Sequence, residues 1–114
     1  MRRILFACLL ALAPALVSAQ QAPTEVPDAV QQGTMANEQL QRDAMMGVHS
    51  ALAARGCNAP AGLTSYVTRL PEGKAGARAW QEVWLVNCPN RKVPVRIDFR
   101  ETGATGVTWS LQIK

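Results

Sequence analysis

A single histidine, His49, stands in a chain of 114 residues. A serine, threonine or cysteine nucleophile needs an adjacent base held by a third group, and no Ser-His-Asp or Cys-His set can be assembled around one isolated imidazole with any support from spacing. Phosphate cradles are missing too: Gly103-Ala104-Thr105-Gly106 joins two strand-like runs and opens no helix, so no nucleotide loop is expected. Cysteine is scarce, at 3 residues, and aromatic residues make up 5% of the chain. Past the first twenty residues no apolar run approaches the roughly 20 residues of a membrane-spanning helix. Neither a cofactor nor a nucleic-acid partner is expected.

What the chain does have begins at its first residue. Met1-Arg2-Arg3 is a basic start, Ile4 to Val17 is almost unbroken apolar sequence, and Val17-Ser18-Ala19 presents the small side chains a signal peptidase accepts. Residues 1–19 are expected to be a signal peptide, with Gln20 the new terminus and no transmembrane segment after cleavage. Cys8 lies inside the apolar run and leaves with it. The formal charge of +4 then loses Arg2 and Arg3, so the exported chain is only mildly basic. Its charge is uneven. Glu25, Asp28, Glu38 and Asp43 stand against Arg42 in the first part, and the remainder is basic; scattered surface arginine kept for solubility is the plainer reading, and attraction to anionic lipid, lipopolysaccharide or acidic polymers the alternative. A periplasmic or secreted location is expected.

Export leaves two cysteines, Cys57 and Cys88, in an oxidising compartment, where only one pairing exists. The bridge closes a loop of about 32 residues, worth roughly 3 to 4 kcal/mol in the chain-entropy model.

Gln20 to Gly33, with Pro23, Pro27 and several glutamines, reads as a flexible leader, and 34–114 as a single α+β domain. Thr34 or Asn37 can cap a helix along which Leu40, Ala44, Val48, Ala51 and Leu52 recur at helical spacing, closed by Gly56. After Pro60 the period becomes two. Strands are expected over 63–70, 78–88, 93–100 and 107–113, separated by turn-forming residues. The simplest architecture is one N-terminal amphipathic helix on a four-stranded antiparallel meander with one disulfide. Val93, Val95, Ile97 and Phe99 share a face, as do Val107, Trp109, Leu111 and Ile113. Placing Cys88 across from Val93 puts Trp80, Glu82 and Trp84 on that same, helix-covered face.

Four sets of side chains are candidates for function. Glu82 lies between two tryptophans on the core face, where a carboxylate must be paired, protonated or marginal; Arg69 is a potential partner, and a ligand-contacting role the alternative. Trp80, Trp84 and Trp109 suit sugar rings if exposed, but their neighbours favour the core. Met45, Met46 and His49, at helical spacings of three and four, offer thioether and imidazole to copper(I), against the plainer role of core filling. Val83, Leu85, Tyr66 and Arg96 fall on the sheet face no helix covers, which makes that face the candidate surface for dimerisation or partner binding.

The run Trp80-Gln81-Glu82-Val83-Trp84-Leu85-Val86-Asn87-Cys88, followed by Val93-Pro94-Val95-Arg96-Ile97-Asp98-Phe99, resembles a group of small uncharacterised secreted bacterial proteins in which a Trp-x-Glu-x-Trp strand leads into a cysteine and then a valine-rich strand. The resemblance runs from about Cys57 onward, with Pro89 where the group carries glycine. It implies export and a disulfide, and no activity. The order of helix and meander is similar to the cystatin-like arrangement, which concerns fold alone. The expected function is non-catalytic binding of an envelope protein or polymer. A small envelope hydrolase using Glu82 and a copper(I) carrier using Met45, Met46 and His49 are the alternatives.

Overall fold

Asn37 starts the helix by lending its Oδ1 to the otherwise unpaired amide of Leu40, at 2.8 Å. From there α1 runs over Glu38–Ala53 and buries Leu40, Ala44, Val48 and Leu52, one residue per turn along a single stripe. Gly56, at φ +89°, bends the chain back so that Cys57 N donates to Leu52 O (2.9 Å) and Gly56 N to Ala53 O (3.1 Å), which closes the helix in a Schellman motif. That bend delivers Cys57 to Cys88, and the two form a disulfide with Cα atoms 5.6 Å apart. The computed structural model describes residues 25–113; the expected signal peptide lies outside the described residues.

The sheet has five strands rather than four. They are β1 (Gln31–Gln32), β2 (Leu63–Glu72), β3 (Ala79–Asn87), β4 (Lys92–Glu101) and β5 (Val107–Ile113), paired antiparallel in chain order. The additional strand comes from the segment read as a leader, so the helix follows β1 and is not the N-terminal element. Two residues of polar sequence carry no readable period. What holds β1 is backbone: Val30 N donates to Val67 O and Gly33 N to Ser65 O, both at 2.8 Å.

The core lies between α1 and one face of the sheet. Trp80, Trp84, Val86, Val93, Val95, Ile97 and Phe99 are buried against Leu40, Ala44, Val48 and Leu52, and Trp80 stacks on Phe99 with ring centroids 5.0 Å apart. Side chains of this kind contribute about 1.5 to 3 kcal/mol each on full burial. The face assignment for β3 is as expected, but its register is not: Val86, not Cys88, sits opposite Val93. The shift is two residues, which preserves the face. Its cause is the turn. Cys88 N donates to Arg91 O (2.8 Å), so Cys88 belongs to the turn and the ladder starts at Asn87 and Lys92.

The opposite face is not open along its whole length. Val26 is buried against Tyr66 and Leu85, with Ala29 and Val83 packed around them, and Glu25 pairs with Lys92. Tyr66 and Leu85, expected to be exposed, are each 6% accessible because residues 25–30 lie over them as a strap. No helix among the described residues is long and apolar enough to cross a membrane.

Candidate functional site

Glu82 is buried completely, and its carboxylate is met by four donors. Oε1 accepts from Trp84 Nε1 (2.7 Å) and Thr34 Oγ1 (2.7 Å); Oε2 accepts from Trp80 Nε1 (2.9 Å) and Met35 N (2.8 Å). The strand geometry explains the two indoles. Residues two apart along β3 share a face, so both rings flank the carboxylate and turn their N–H groups onto it. Thr34 accepts from Ala36 N (3.0 Å), which leaves its hydroxyl hydrogen free for Glu82. No oxygen of Glu82 is exposed to a substrate, and each already accepts two hydrogen bonds. Arg69 takes no part. A bulge at Thr68 places Val67 opposite Glu82 and Arg69 opposite Gln81, on the other face.

That other face carries the more accessible constellation. Thr68 Oγ1 donates to Gln81 Oε1 (2.9 Å), Gln81 Nε2 donates to Asp98 Oδ1 (2.9 Å), and Asp98 Oδ2 lies 3.5 Å from Arg96 Nη2. The row crosses β2, β3 and β4. On one side of it, Arg69, Arg100, Thr108 and Ser110 line a cavity of about 350 Å³ together with Gln81 and Asp98. On the other, Arg96, Val83, Pro94 and Gln112 line one of about 340 Å³, closed at its rim by Glu25 to Asp28 of the strap. Arg96 is singular here: its Nε is shut off from solvent and has no hydrogen-bond partner among the described residues. Such a donor costs about 1 to 3 kcal/mol while it stays unpaired.

Of the face residues expected from sequence, the structure brings Val83 and Arg96 to the second cavity and buries Tyr66 and Leu85 beneath Val26. Gln81 and Asp98 are expected on this face, but their pairing with each other and with Thr68 is not. In the register that sets Cys88 against Val93, Gln81 falls opposite Arg100 and the row disappears. In the observed one, Gln81 stands opposite Asp98. The signal was the Pro89-Asn90 turn, whose length sets that register.

Met45 and His49 line one cavity of about 320 Å³ beside Pro60, Leu63 and Val86, whereas Met46 is 72% exposed and lines a different groove with Glu38 and Arg42. The three do not converge on one cavity. Among the described residues no group of three or more His, Cys, Asp or Glu side chains is placed to hold a metal ion. Comparison with protein-family models, with curated proteins and with solved structures finds no match for the chain.

Proposed function

We propose that the protein is a non-catalytic binding domain of the bacterial envelope, and that its ligand is an extended acidic polysaccharide lying across the polar half of the open sheet face. The carrying observation is Arg96. Its guanidinium is held by Asp98, and its Nε has no acceptor of its own. The Arg96 side chain is nonetheless 38% accessible at the cavity wall, so a carboxylate or sulfate oxygen entering the cavity would meet its exposed part while the enclosed Nε stays out of reach. Arg69 and Arg100 line the adjoining cavity, where Asp98 is the only acid among the described residues, so an anion entering that cavity meets net positive charge. Support for the compartment comes from the signal-like start of the chain and from a disulfide in a small domain with no membrane-spanning helix among the described residues.

The test is affinity for polygalacturonate against neutral dextran, measured at two salt concentrations. The wild type is expected to bind the acidic polymer alone and to bind it more weakly at higher salt. Hydrogen bonds to charged groups contribute about 1.5 to 3 kcal/mol, so Arg96→Gln is expected to weaken binding by roughly tenfold or more. Equal affinity for both polymers, or undiminished binding by Arg96→Gln, overturns the reading.

A further inference from the structure

The two edges of the sheet are built differently. At the β2 edge, β1 covers Tyr66 and Val67; beyond them the strand is broken by register shifts between Val67 and Arg69 and between Arg69 and Glu72, and it carries Pro71 with exposed Arg69 and Glu72. Bulges, proline and charge are the devices by which sheets keep other strands away. The β5 edge has none of them. Val107–Ile113 pairs with β4 in unbroken register from Glu101↔Val107 to Val95↔Ile113, and among the described residues nothing pairs with its other side. It contains no charge, no proline and no glycine, whereas β2, β3 and β4 each carry charged residues in a chain that is 18% charged overall.

The strand is also its own complement. An antiparallel pair centred on Ser110 sets Val107 against Ile113, Trp109 against Leu111, and Thr108 against Gln112, with Ser110 facing its counterpart. Face is preserved at every position. Val107, Trp109, Leu111 and Ile113 pack against the core yet remain only half-buried, so four apolar side chains at this margin still present surface that an identical strand would cover. On the opposite face only uncharged polar groups meet. No like-charge contact arises anywhere along the seven residues.

We propose that the free edge of β5 pairs antiparallel with β5 of a second copy, centred on Ser110, and joins the two sheets into one ten-stranded layer. The assignment of the occupant rests on that self-complementarity, which a strand of another protein would have to reproduce. It does not depend on the polysaccharide reading, although Thr108 and Ser110 also line the arginine-bearing cavity, so that pairing brings the cavities of both copies to one seam.

Sedimentation velocity of the purified, disulfide-intact protein over a range of concentrations tests the pairing. Wild type is expected to sediment as a dimer. Ser110→Lys, an exposed substitution, sets two lysines directly opposite each other, with Cβ atoms about 5 Å apart across the twofold axis, and is expected to raise the dimer dissociation constant at least tenfold while the circular dichroism spectrum stays unchanged. Cross-linking fixes the register: Ser110→Cys forms an intermolecular disulfide under mild oxidation, while Thr108→Cys, whose two copies lie about 13 Å apart along the strands, does not. A monomer at all concentrations, a dimer indifferent to Ser110→Lys, or equal cross-linking at both positions overturns the proposal. Each of these is read without any ligand, so failure here is separate from failure of polysaccharide binding.

Discussion

Glu82 shows why a charged side chain can belong to a core. Taking a carboxylate out of water is costly unless its oxygens are occupied, and here two indoles, a hydroxyl and a backbone amide occupy them, with no counter-ion among the described residues. The consequence is positional, since Thr34 and Met35 are tied through one side chain to the middle of β3 and the entry to α1 is fixed against the sheet. Glu82→Gln keeps the shape but replaces one acceptor oxygen with an NH2 group that faces donors. One buried indole and one partly buried donor then lose their partner, at about 1 to 3 kcal/mol for each donor shut off from water. Against a domain stability of about 5 to 15 kcal/mol, urea unfolding is expected to show a loss of at least 2 kcal/mol. A change below about 1 kcal/mol would remove Glu82 as the pin of this region. Half of the arrangement was legible: tryptophans two before and two after a core-facing glutamate share its face on any strand. The other half was not, because Thr34 read equally well as a helix cap, and the Thr68 bulge that turns Arg69 away leaves no mark in the alternation of side chains.

Among elements, the contact of α1 with β5 is set by a residue that helix propensity disfavours. Glycine costs about 1 kcal/mol relative to alanine within a helix, yet a Cβ built on Gly47 would stand 2.5 Å from Cη2 and 2.8 Å from Cζ3 of Trp109. The indole therefore lies on bare backbone, and the helix approaches β5 more closely than a side chain would allow. Gly47→Ala is expected to lower stability by about 1 to 3 kcal/mol through overpacking, exceeding the intrinsic helical gain. Most of that loss should vanish in a Trp109→Leu background. A rise in the melting temperature of Gly47→Ala alone would mean that the contact yields. Spacing revealed the helix stripe and all four long strands to within two residues at each end, because each buries a continuous face. It could not reveal β1, which is two glutamines held by main-chain bonds, or the strap, whose one buried side chain, Val26, has no periodic neighbours.

At the scale of the whole molecule, the sheet is fastened at both ends. Cys57–Cys88 holds the helix terminus to the β3–β4 turn, and at the far end Glu101 holds the β2–β3 loop to the last residue of β4. Its Oε1 accepts from Gly76 N (2.8 Å), Arg78 N (3.1 Å) and Arg78 Nε (3.1 Å), and its Oε2 from Arg78 Nη2 (3.1 Å). The Arg78 side chain, followed by the Arg78 backbone amide, holds the Glu101 carboxyl below the usual glutamate range, and the guanidinium is raised in return. A carboxyl depressed by folding binds its proton less readily in the native state than in the unfolded one. Its contribution is therefore complete above the ordinary glutamate value of about 4.3 and disappears as the pH falls through the depressed native value. The reciprocal shift of Arg78 acts only in strong alkali. Urea midpoints measured from about pH 6 down to 3 should accordingly fall for the wild type, and fall less steeply for Glu101→Gln, which has no carboxyl to titrate. Added salt should narrow the gap between the two curves, since both partners are open to solvent. Parallel curves would show that the two hairpin loops are held by their backbone bonds, Glu101 N to Arg78 O and Gly103 N to Gly76 O, without help from the ion pair.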